Sequence, residues 1–163
     1  MSLNSAMKAS VVVFFALAIL GSAFAQMPNP YGPPVSLKTA KKVAAPAIAE
    51  AVKNNWTIAV AIVDPDGRLI YFEKMDNTQS ASSDVSVDKA RSAAIYKRPT
   101  KAFQDALAAG GEGWRVLGLR EAVPVEGGFP LIIDGKIVGA VGVSGETSAQ
   151  DAQCAKAAAD SLK

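Results

Sequence analysis

One hundred and sixty-three residues, half of them hydrophobic and a fifth charged, are enough for one ordinary domain and too few for a second core. Seventeen basic against fifteen acidic residues leave a net charge of +2 with no block of like charge, which argues against nucleic acid or an acidic membrane as partner, since both need a basic stripe. There is no histidine and only one cysteine, Cys154, so His-based triads, His zinc sites, His-ligated haem and an internal disulfide are excluded.

The first 25 residues read as an export signal. Lys8 precedes an apolar run over 11–20 that is too short to span a bilayer comfortably, and Ala23-Phe24-Ala25 follows in the A-x-A pattern cut by signal peptidase. Cleavage would expose Gln26 and place the protein in the periplasm or the medium, with no membrane attachment. Residues 26–35 hold Pro28, Pro30, Pro33 and Pro34 and predict an extended arm outside the core. The remaining 36–163 form the domain.

Ser36 is placed to cap a helix whose Leu37, Ala40, Ala44, Ala47, Ile48 and Ala51 follow the helical period, with Pro46 expected to kink or divide it. The unbroken apolar run 56–63 predicts a central strand covered on both faces. Asp64-Pro65-Asp66-Gly67 turns the chain into a returning strand over 68–75. A helix over about 86–97 points Val87, Ala90, Ala93 and Ala94 inward and stops before Pro99; Thr100 is placed to cap a short helix that ends at Gly110-Gly111. Residues 113–125 are poorly patterned, with a short edge strand expected at 122–125.

The stretch 126–151 carries the strongest signals. Asp134-Gly135 between apolar runs marks a type I′ hairpin joining strands 130–133 and 136–143. Gly139, Gly142 and Gly145 imply a close neighbour of that second strand, and the following helix offers one in the small stripe Ala152, Ala155, Ala159 and Leu162. Cys154 flanks that stripe as a small apolar residue. The element order predicts an α+β sandwich of profilin-like or PAS-like type, with helices on the faces of a five-stranded antiparallel sheet.

The runs NNWTIAVAIVDPDG (54–67), DKARSAA (88–94) and EGGFPLIIDGKIVGAVGVSGETSAQDAQ (126–153) closely resemble the GlcG/HbpS family, also called the haem-degrading-domain family. The resemblance covers nearly the whole chain after the export signal. It implies the layered antiparallel sandwich and a homo-oligomer. Some relatives bind haem; others are encoded beside glycolate-oxidation genes, and this chain looks most like those. The resemblance therefore implies an exported module for haem or a related tetrapyrrole. The alternatives are an enzyme or sensor acting on a small carboxylate such as a 2-hydroxy acid, and an oligomeric accessory subunit without ligand.

Candidate ligand-binding residues are Lys89, as a cation for a propionate or hydroxy acid, with Gly127, Gly128, Pro130, Ser144 and Gly145 at strand ends. If Lys89 and Arg91 are instead surface charges, Asp84 and Asp88 are their expected partners, and Arg91 is assigned to solvent. Met75, Tyr71 and Tyr96 are the side chains able in principle to reach a haem iron. Ala122-Val123-Pro124-Val125, where haem-binding relatives place pocket residues, offers no donor. Glu126, Glu146 and Asp151 border the glycine motif, and Asp151 reads as a first-turn helix carboxylate favoured by the helix dipole.

Overall fold

Alternation along two strands decides what faces what. In the computed structural model, which describes residues 29–162, the sheet consists of β1 (Ala59–Val63), β2 (Leu69–Lys74), β3 (Gly128–Ile133) and β4 (Lys136–Ser144). Their order is β2-β1-β4-β3, and every pairing is antiparallel. The export signal read at 1–25 lies outside the described residues. β1 is buried throughout, as an unbroken apolar run requires of a central strand. Asp134 and Gly135 both take positive φ, 49° and 71°, so the β3–β4 hairpin turns as type I′. At the other hairpin the Asp64 carboxylate accepts the backbone N–H groups of Asp66 and Arg68 at 2.9 and 2.8 Å.

The described residues hold four α-helices: α1 (Leu37–Lys53), α2 (Ser82–Ile95), α3 (Lys101–Ala108) and α4 (Ser148–Asp160). α1 and α4 pack on each other and on one sheet face, and α2 covers the other. Val60, Ile62, Val141 and Val143 point to the first face and join Ala44, Ala47, Ala51 and Ala155 in the larger core. Ala61, Val63 and Ala140 point to the second and meet Ala90, Ala93 and Ala94. Gly142 shares the side of Ala140, so α2, not α4, makes the close approach to it: a Cβ there would run into the Ser86 carbonyl and the Ala90 amide. This corrects the expectation that the α4 stripe lies on the glycines.

Other expectations also change. α1 runs unbroken through Pro46, held by a buried alanine face. The Lys42 carbonyl, which Pro46 cannot bond, belongs to an exposed residue where water can satisfy it. The sheet has four strands, because 122–125 pairs with none. Glu121 takes φ 62°, the Val123 amide donates to the Ser92 hydroxyl at 3.1 Å, and Pro124 has no N–H to give. Upstream of it, Gly111–Gly118 forms a 3-10 helix. α2 starts at Ser82, earlier than expected, and ends before Pro99.

The proline arm is bound along its described length. β1 ends opposite Ala140, so β4 has a free edge at Ile137 and Val138. The arm fills it: Gly32 and Val35 donate to the carbonyls of Ile137 and Val138, and Ile137 donates to that of Pro30. Tyr31 adds a hydroxyl shared by the Ala94 and Ile95 carbonyls at 3.1 Å, closing the end of α2, while Lys97 lies over its ring.

Candidate functional site

Lys89 sits on the face of α2 that meets β4. Its side chain is 1% exposed, and its Nζ donates to Asp151 Oδ2 at 2.8 Å and to the Val143 carbonyl at 3.0 Å. The other carboxylate oxygen, Asp151 Oδ1, accepts the Glu146 amide at 3.0 Å. The lysine anticipated as a carboxylate anchor thus holds the chain's own carboxylate, and neither Asp84 nor Asp88 is its partner. Burial holds the Asp151 carboxyl above its ordinary pKa, opposed by the Lys89 hydrogen bond and charge. Asp151 does lie in the first turn of α4, as expected, but its fixed partner is a lysine 62 residues away.

The glycine turn closes over this pair. Gly127 takes φ 123°, and a Cβ on it would lie 2.9 Å from Lys89 Nζ and 2.8 Å from the Val143 carbonyl, so no other residue fits there without displacement. Gly128 exchanges two bonds with Thr100: its amide donates to Thr100 Oγ1 and its carbonyl accepts the Thr100 amide, both at 3.0 Å. That hydroxyl therefore ties α3 to β3 and does not cap α3 as expected. Ser144 Oγ meets Ser82 Oγ at 3.3 Å, and a Cβ on Gly145 would strike the Thr57 carbonyl. Glu146 accepts the Thr57 amide at 3.0 Å. Lys89, Gly127, Gly128, Ser144 and Gly145 thus fall at the same end of the sheet, bound to the protein's own groups. Pro130 lies further along β3, opposite Ala140.

The remaining candidates are scattered. Arg91 is 37% exposed, not wholly given to solvent, and its Nε donates to the Gly67 carbonyl at 3.2 Å. Tyr71 donates to Glu73 at 2.6 Å, and this bond to a carboxylate raises its pKa, so the phenolate is disfavoured. Met75 packs against the larger core. Tyr96 donates to the Arg120 carbonyl at 2.6 Å and stacks edge-on with Phe103, ring centroids 5.1 Å apart. Among the described residues no three Asp, Glu or Cys side chains gather as a metal site would need, and no helix is long and apolar enough to cross a membrane. Cys154 is buried, which pushes its thiol up to about 12.

Two features escaped the sequence reading. Trp114, Leu117, Leu119 and Val125 are all exposed, Trp114 by 65% and Leu117 by 69%, on and after the 3-10 helix. A pocket also opens between the arm, the start of α1 and the β3–β4 turn. No periodic pattern marks either, because one lies in irregular chain and the other joins residues far apart in sequence.

A protein-family model described as "Haem degrading protein HbpS-like" matches residues 35–160. The chain belongs to this family. Protein GlcG of Escherichia coli K12 is 41% identical over 110 residues, which span 68% of this chain and 81% of GlcG. Among solved structures of this HbpS-like fold, Klebsiella pneumoniae protein ORFY superposes with a TM-score of 0.75 at 29% identity, covering 80% of this chain and 92% of that one. The PduOC:heme complex gives a TM-score of 0.71 at 24% identity, over 80% and 96% of the two chains. That likeness speaks for the fold.

Proposed function

We propose that this HbpS-like protein is exported and binds haem or a related tetrapyrrole on the apolar surface formed by the 3-10 helix and the chain following it. The observation that carries this reading is that four of the exposed large hydrophobic side chains among the described residues, Trp114, Leu117, Leu119 and Val125, fall within residues 114–125, a stretch whose apolar side chains could together make a binding surface. Family membership supports it, as does the haem held by PduOC. Arg120 lies in the same segment and suits a propionate, whereas the Arg115 guanidinium is already paired with Glu112 at 2.5 Å.

The donor set does not fit a ready axial ligand. Histidine is absent, Tyr71 and Tyr96 spend their hydroxyls on Glu73 and Arg120, and Met75 is half-buried against the larger core. The reading is accordingly one of apolar binding, with no step taken at iron. Of the three, Tyr96 is the one bonded to this segment.

Titration of the protein with haemin tests the proposal. A saturable Soret shift with quenching of tryptophan emission is expected, and Leu117→Asp should weaken it, whereas Tyr96→Phe should leave the spectrum unchanged. A spectrum identical to free haemin, without saturable quenching, would sink the reading. Export predicts that protein recovered from outside the cytoplasm begins at Gln26; an intact Met1 in that fraction would refute cleavage.

A further inference from the structure

The pocket beside the arm shares no residue with the apolar segment of the tetrapyrrole reading, and it stands independently of that reading. It is a half-open cavity of about 480 Å³, a volume within the range of small-ligand sites. One wall is made by Pro33, Pro34 and Val138. Proline rings cost little entropy to hold in place, and the arm that carries them is pinned to β4 by backbone bonds on both sides of Gly32. The wall is therefore formed before any ligand arrives.

The polar groups at the rim are few and of opposite sign. Ser36 and Thr39 also line the pocket, but their hydroxyls are committed to each other and to the α1 cap. Asp134 and Lys136, on either side of the hairpin glycine, make no ion pair or side-chain hydrogen bond among the described residues. The type I′ turn fixes their backbones, and Gly32 lets the arm lie against the Lys136 stem: a Cβ on Gly32 would come within 2.9 Å of Lys136 Cβ. An exposed carboxylate and an exposed ammonium, neither paired with a described residue, beside an apolar wall complement a molecule carrying the reverse charges on an aliphatic body.

We propose that this pocket binds a small aliphatic zwitterion of amino-acid type, its carboxylate on Lys136, its ammonium on Asp134 and its side chain against the prolines. A simple carboxylate would leave Asp134 facing a like charge, and a simple amine would do the same at Lys136.

Calorimetric titration of the full chain with 2-aminohexanoate, beside hexanoate and hexylamine, tests this. Saturable binding of 2-aminohexanoate is expected, with each single-headed analogue weaker by roughly tenfold or more. Lys136→Met keeps the stem and removes the charge, and Asp134→Asn keeps a residue that tolerates positive φ; each should weaken 2-aminohexanoate by about ten- to a hundredfold. Three results would overturn the proposal: no saturation by about 10 mM, hexanoate or hexylamine binding as tightly as 2-aminohexanoate, or unchanged affinity in both variants. Haemin titration of the same preparation keeps this result separate from the tetrapyrrole reading.

Discussion

An ammonium and a carboxylate 2.8 Å apart and almost wholly out of water, as in Lys89 and Asp151, make each other indispensable. Removing one partner of a buried pair leaves the other charge uncompensated, at a cost of about 3–5 kcal/mol, whereas replacing both by apolar groups is often neutral. Lys89→Met should therefore lower stability by an amount in that range, and Lys89→Met combined with Asp151→Leu should recover much of it. Urea unfolding of the parent, the single variant and the double variant measures this. A single variant within about 1 kcal/mol of the parent would mean that water or a ligand reaches the pair, and the lysine would return as a ligand anchor. Lys89 was legible through the DKARSAA stretch that resembles the family's, and Gly127 and Gly128 through their place at a strand end, where glycines demand a reason. The sequence did not show the partner, because no local pattern selects one carboxylate among fifteen acidic residues across a separation of 62.

Elements were legible where one period ran without interruption. The apolar run of β1, the Asp134-Gly135 turn and the alanine spacing of α1 each bear a local physical requirement, and each appears in the fold. The facing of β4 was also written in its alternation, since Gly142 falls on the side of Ala140 and away from Val141 and Val143; that α2 and not the expected α4 covers that side is a tertiary fact that parity does not supply. Local rules failed where tertiary bonds replaced them. Thr100 has the residue type of a cap, yet its hydroxyl receives the Gly128 amide. Pro46 is a helix breaker by propensity, yet packing of the opposite face carries α1 through it. Residues 122–125 hang from Ser92 on α2, a contact that no strand pattern encodes.

At the scale of the whole molecule, the two edges of the sheet differ. β3 carries Pro130, which has no N–H to offer a neighbour, and its first residue is bound to Thr100. β2 has no proline, and it presents Leu69, 51% exposed and in register with Val63, to solvent. A net charge near zero supplies little repulsion between copies. We infer that two copies associate about a twofold axis through the β2 edge, where the same exposed strand is present on both partners. Light scattering at tens of micromolar should then give twice the monomer mass, and Leu69→Lys, which adds a charge to each copy at the axis, should shift the protein toward monomer without unfolding it. A parent that scatters as monomer across this range would refute self-association outright. A Leu69→Lys variant that remains dimeric would move the interface off β2 and toward the exposed Trp114 and Leu117, where haemin and a second copy would then compete for one surface, so that the dimer should dissociate as haemin is added.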